Sequence, residues 1–273
     1  MATEALELRE YSPERKRVRL HEIWSTWRVT QMVALRDVRV KYKQAALGPL
    51  WLVLAPMGLL LAITIAFSGI TDVPTPGVPY LLFALVGLTC WTYIQLCLML
   101  SPLVLVTNSA LVRRSTCPRL ALVQGSMLAN LPPVGVMLVA TLIALVFGRG
   151  VPVQALLLPL LFVWLAVLAW GLSLMLAPLA ARARDIVAVV PLVVQAGLFV
   201  TPVGYPISGA PANIEIVLTV NPVAGVIEGW RWALLDIPPN MTAVVISLVT
   251  TVLVALAGWY VFGKSDARLA DYV

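Results

Sequence analysis

Glu228 and Arg231 stand three residues apart in the stretch Asn221 to Leu235, NPVAGVIEGWRWALL, so a helix there sets both on one face. Such a pair neutralises its charges where water is scarce. Residues 258–265, GWYVFGKS, match the GxxxxGK[ST] pattern that cradles phosphate, but the match fails on context. A phosphate loop needs a preceding strand, a flexible glycine-rich turn and a following helix, whereas here Trp259, Tyr260, Val261 and Phe262 close an apolar run. The aromatics and Lys264 read better as an anchor at a membrane surface. Cys90, Cys97 and Cys117 form no CxxC pair and His21 is the lone histidine, so no metal site is expected. Cys90 and Cys97, seven apart in an apolar stretch, read as packing residues. No carboxylate cluster, Ser with His, or paired His on a helix is present, which excludes the common membrane enzymes.

The elements that would position these residues follow from composition. Hydrophobic residues make up 60% of the 273 and charged ones 12%, against about 25% charged in a soluble domain. Mean hydropathy is +0.94. The first apolar run begins near Leu47, too late and too long for a cleaved signal peptide, and is expected to remain as an anchor. The fold class expected is an all-α integral membrane protein with crossings near 48–70, 79–105, 120–147, 153–181, 186–204 and 241–262. Prolines 56, 102, 132, 133, 159, 178 and 191 fall inside these runs and predict kinks. Residues 1–19 read as a cytoplasmic arm. Residues 20–46 read as an amphipathic helix with Leu20, Ile23, Trp24, Trp27, Leu35, Val38 and Tyr42 on its apolar face. It suits the headgroup region, with packing against soluble protein as the alternative.

Charge sets the orientation. Of the nineteen Lys and Arg residues, ten lie in the arm and amphipathic helix, three in 106–119, two at Arg182 and Arg184, and two in the tail 264–273. The other side holds only Arg149 and Arg231, so both termini are expected in the cytoplasm of a bacterial inner-membrane protein. The net charge of +6 is accordingly directed at anionic lipid rather than nucleic acid. Within the transmembrane domain 47–263, residues 205–239 are too apolar for solvent and too interrupted by Pro206, Pro211, Pro222 and Pro238 to span. They predict a re-entrant pair of short helices. No acid lies inside the six crossings and no repeat relates the halves, which counts against a proton-coupled carrier and points to a partner ATPase for energy.

The segment Leu35 to Met57 resembles the opening motif of polysaccharide-exporting ABC transporter permeases, R-D-x-x-x-x-Y-x-x-x-x-L-G-x-x-W-x-x-x-x-P. Arg36, Asp37, Tyr42, Leu47, Gly48, Trp51 and Pro56 occupy its positions. Asn108 to Leu120 is similar to the family's cytoplasmic coupling segment, although Ser115-Thr116-Cys117 replaces the usual aliphatic-aromatic stretch before Pro118. Arg182 to Gln195 is similar to its R-D-I start of the fifth crossing, and Asn221 to Leu235 to its outer gate.

The resemblance implies a homodimer with two copies of an ABC ATPase, ATP and magnesium being held by that partner and no cofactor by this chain. Arg113, Arg114, Pro118 and Arg119 would meet the ATPase in the coupling segment 107–119, the alternative for the arginines being ordinary inner-surface charge. Arg36, Arg39, Tyr42 and Lys43 would lie where a lipid-linked glycan is admitted, with basic groups for its diphosphate. Trp51, Trp91 and Tyr93 are candidates for lining a sugar channel or for anchoring at the membrane surface. Asn221, Pro222, Glu228, Arg231 and Trp232 would form the outer gate. The substrate class implied is O-antigen, teichoic acid, capsule or galactan. A related ABC permease for a drug or lipid shares the gate and coupling elements, and a lipid-scaffold protein would bind no ATPase.

Overall fold

The computed structural model describes residues 26–43, 48–68, 75, 77–108, 118–183 and 185–266, and all regular structure among them is helical. We number the α-helices α1 (Trp27–Lys43), α2 (Trp51–Ser68), α3 (Tyr80–Thr107), α4 (Arg119–Leu128), α5 (Leu131–Gly148), α6 (Leu158–Arg182), α7 (Asp185–Val200), α8 (Ala212–Val220), α9 (Pro222–Leu235) and α10 (Met241–Asp266). Four stretches are long and apolar enough to cross a bilayer: Tyr80–Thr107, Arg119–Gly148, Val153–Arg182 and Met241–Ser265. Trp51–Ile65 and Asp185–Val200 are shorter apolar helices. The arm 1–19 lies outside the described residues.

The second of the long stretches is two helices in series. Asn130 N–H donates to the carbonyl of Met127 at 3.1 Å, tightening the last turn of α4. Pro132 and Pro133 then open α5, where missing N–H groups cost nothing because the first turn has no partner for them. Asn130 itself is fully buried at this break.

α3 is the central helix, the most enclosed of the long four, with α6 on one side and α2, α5 and α7 around it. Lipid gives helices no hydrophobic reason to associate, so close packing by small residues must hold them. α6 and α10 make the most extensive contact, and there a Cβ on Gly258 would fall on the carbonyl oxygen of Gly171, while one on Gly171 would meet the backbone of Ala255 at 2.8 Å. α9 and α10 repeat the device, since a Cβ on Gly225 would strike the carbonyl of Ala243. Residues 258–265 are continuous helix within α10, which leaves no loop to cradle phosphate.

The described part of the amphipathic helix packs on the bundle through its small residues. Thr30, Val33 and Ala34 are its buried residues, packed on α4, whereas Trp27 and Leu35 remain exposed. A Cβ on Gly125 of α4 would come within 2.6 Å of the Val33 side chain, and this close approach selects the small-residue stripe of α1 as the protein-facing side. Trp27 and Leu35 are left for the membrane surface.

Candidate functional site

Two groups of polar side chains stand at opposite ends of the bundle. At the end where α1 lies, Arg36 donates from Nη2 to Oδ1 of Asn108 at 3.1 Å and from Nε to Oδ1 of Asp37 at 2.9 Å. Asn108 ends α3, its Nδ2 donating to the carbonyl of Val104 at 2.8 Å. The guanidinium therefore ties the surface helix to the last residue described before 109–117. Asp37 orients that guanidinium, its carboxylate 2.8 Å from Arg36 Nη2. Of the other residues singled out on this helix, Arg39 and Lys43 are exposed and Tyr42 is half-buried. Desolvation pushes the Tyr42 phenol above its usual range and holds Lys41 below its own. Arg113 and Arg114 lie outside the described residues. Pro118 caps α4 and Arg119 opens it, both half-buried.

At the other end, a non-helical turn, Thr201–Tyr205, separates α7 from α8 and is buried through Gly204. Carbonyls of such a turn have no ladder to join and need donors. Arg231 supplies two, Nη2 to Val203 O at 2.8 Å and Nη1 to Tyr205 O at 3.5 Å, and the Tyr80 hydroxyl donates to Gly204 O at 2.9 Å. The guanidinium carbon lies 3.6 Å from the centroid of the Phe83 ring, within cation–π reach. Glu228 Oε1 is 3.6 Å from Arg231 Nη1, while its Oε2 accepts from the Asn240 backbone N–H at 3.0 Å. Asn221 caps α9 by accepting from Val223 N–H at 2.9 Å, with Pro222 as the first helical residue, and its Nδ2 donates to Thr201 Oγ1 at 2.9 Å. The charges of α9 thus brace the chain before the helix pair and the chain after it.

Placement of the remaining candidates is mixed. Trp51 is 48% exposed at the start of α2. Trp91 and Tyr93 are 4% and 2% exposed, so both rings are packed within this chain. A Cβ on Gly197 would come 2.9 Å from the Trp91 ring, and Tyr93 tilts against Phe162 at 5.5 Å, which is why neither ring has a free face. Arg231 is 1% exposed, with its guanidinium turned to the carbonyls it serves. Trp232 is half-buried beside it. Sequence reasoning gave no role to Phe83, Tyr80 or Gly87, and took Asn108 only as the first residue of the coupling segment. Gly87 alone left a signal, a glycine inside an apolar helix, and a Cβ there would overlap the carbonyl of Val203.

Among the described residues, no group of His, Cys, Asp or Glu is placed to hold a metal. The polar groups found make no nucleophile-and-base pair; they fasten helices and turns of an apolar bundle to each other. That is the build of a multi-pass membrane permease. The chain belongs to the ABC-2 type transporter family, whose profile it matches over residues 28–235. It is 24% identical over 246 residues to an O-antigen export system permease protein RfbA of Klebsiella pneumoniae, an alignment covering 88% of this chain and 93% of the relative. A second Klebsiella pneumoniae protein of that name is 23% identical over 242 residues, with the same coverage. The resemblance to polysaccharide-exporting permeases drawn from Arg36, Asp37, Tyr42 and Trp51 therefore extends along nearly the whole chain.

Proposed function

We propose that the chain is the channel-forming subunit of an ATP-driven exporter that moves a lipid-linked polysaccharide across a bacterial inner membrane. The observation that carries the reading is the Arg36 to Asn108 hydrogen bond, which joins a surface helix to the end of the central helix α3. Residues 109–117 follow directly, and Arg113 and Arg114 there would meet acidic groups of a partner ATPase. Closure of two ATPase subunits on ATP and magnesium would then displace α3 and α1 together in each of two permease copies.

Six crossings, α2, α3, α4 with α5, α6, α7 and α10, would agree with the distribution of Lys and Arg and would put both termini in the cytoplasm. α7 has 16 residues, about 24 Å at 1.5 Å per residue, short of the roughly 30 Å of hydrocarbon. The turn Thr201–Tyr205 would complete it, permissible at membrane depth because Arg231 and Tyr80 satisfy its carbonyls. α8 and α9 then form the re-entrant outer gate.

On the inner face Arg36 is already engaged, so Arg39 and Lys43, both exposed, are left to meet the lipid diphosphate. Trp51 offers an open ring for sugar C–H groups to slide across. O-antigen is the glycan named for the relatives; teichoic acid, capsule or galactan would share the lipid diphosphate and the same route.

The test is purification of the tagged chain with its neighbours, followed by export measurement in a deletion strain. Co-purification of an ATPase and accumulation of lipid-linked glycan on the inner leaflet are expected. A chain that binds no ATPase, in cells whose surface glycan is unchanged by the deletion, would sink the reading.

A further inference from the structure

Between α6, α9 and α10 lies a cavity of about 540 Å³ with almost entirely apolar walls, distant in its residues from both polar groups already described except along α9. Its depth is set by Gly229, whose missing side chain leaves room where a Cβ would stand 3.2 Å from the Trp164 ring and 3.3 Å from Leu161. Two polar groups on the wall are spent on each other and on the helix: Trp164 Nε1–H donates to Thr251 Oγ1 at 3.0 Å, and that hydroxyl donates to the carbonyl of Ser247 at 2.7 Å. A ligand here would find apolar surface and no unmet hydrogen bond at these positions. Water has too few partners to stay, and the size falls in the range of roughly 300–1,000 Å³ typical of ligand cavities.

The mouth says what the occupant is. Leu160, Val163, Met241 and Leu248 stand at it with exposed side chains, and Leu248 continues into the outward apolar band of Val245, Val249, Val252 and Leu256 on α10. Hydrocarbon covers that band in a membrane protein, so the cavity opens sideways into lipid tails. Met241 and Leu158 begin α10 and α6, which the topology proposed above, on which this point rests, puts at the outer surface.

We propose that the cavity holds one acyl chain of an outer-leaflet phospholipid, wedged against the face of α9 that carries Gly229 and Trp232. Glu228 and Arg231 of the same helix brace the turn before α8 and the chain after α9, so the chain of the lipid backs the helix that those charges fix in place.

The experiment uses the full-length protein with its ATPase in phosphatidylethanolamine vesicles, containing a tracer phospholipid with a diazirine midway along one acyl chain. After irradiation, labelled peptides are identified by mass spectrometry. Leu161 and Gly229 are buried from bulk lipid, whereas Leu253 is exposed to it. Label on the Leu161 and Gly229 peptides at least equal to that on Leu253 is expected. Val244→Phe, which fills the cavity, and Leu248→Trp, which blocks its mouth, should each lower the inner label severalfold and leave Leu253 unchanged. Label confined to Leu253, inner label indifferent to both variants, or inner label displaced by a polyisoprenyl phosphate and not by phospholipid would each overturn the proposal. Labelling is read without export, so its failure is separable from failure of the polysaccharide reading.

Discussion

Arg231 on α9 places its guanidinium carbon 3.6 Å from the centre of the Phe83 ring on α3, and so joins the outer helix pair to the central helix. The same guanidinium bonds the carbonyl of Val203, so α3, α9 and the turn after α7 meet at one cation. A positive charge is costly inside a membrane protein, and its neighbours are what make it tolerable: the aromatic face, two carbonyls and the Glu228 carboxylate.

Replacing Arg231 with Met should therefore destabilise the protein by about 3–5 kcal/mol, because Glu228 is left buried without its counter-charge. Thermal unfolding of the detergent-purified chain checks this. Adding Glu228→Gln should recover part of the loss, and a double variant no better than Arg231→Met would show that the carbonyl bonds, not the charge pairing, dominate.

Gly87→Ala tests the same junction from α3. A Cβ there would overlap the Val203 carbonyl, which is backbone and cannot swing aside. Destabilisation of about 1–3 kcal/mol is expected, the range for overpacking a filled interior. Gly135→Ala, where a Cβ meets nothing within 4 Å, should leave the melting temperature unchanged.

Arg36→Ala and Asn108→Ala cut one hydrogen bond from its two ends. Both should lower the number of glycans exported per ATP hydrolysed while the protein still inserts and binds its ATPase. Since the contact is shared, the double variant should be no worse than the more severe single one. Additive losses in export per ATP would separate the two residues functionally.

Tryptophans at two positions should answer differently to Ala. Trp51 is half open and its loss should slow export at normal abundance, whereas Trp91 fills core space beside Gly197 and its loss should lower abundance by the several-kcal/mol cost of a large cavity, about 3–5 kcal/mol. Quantitative immunoblotting beside a surface-glycan assay distinguishes the two. Equal effects on export per molecule would assign both rings to the channel.

Hydrocarbon-length apolar runs are hard to misread, and the helices fall close to where hydropathy places them. What hydropathy cannot report is facing. Trp27 and Leu35 define the apolar stripe of α1 by side-chain size, yet the protein-facing side is chosen by the gap at Gly125, which admits Thr30 and Val33. Arg231 shows a second limit. Its spacing from Glu228 predicts a charge pair where water is scarce but not its other partners: the run TPVGYP at 201–206 ends α7 early and leaves carbonyls that Arg231 reaches from α9. The prolines and glycine in that run were the available sign. The burial of Trp91 and Tyr93 was hidden for a like reason, because aromatic chemistry is visible in a sequence while the neighbour that covers the ring is not.

The backbone contact between Gly171 and Gly258 has one more consequence. With no side chain interposed, α10 cannot roll over α6 without collision, so these two helices form a keel that stays put through any stroke. If the chain exports a long cargo as proposed, the flank made by α2 and α7, which touch the rest of the chain less than α6 and α10 touch each other, is free to shift like a hull plate along that spine.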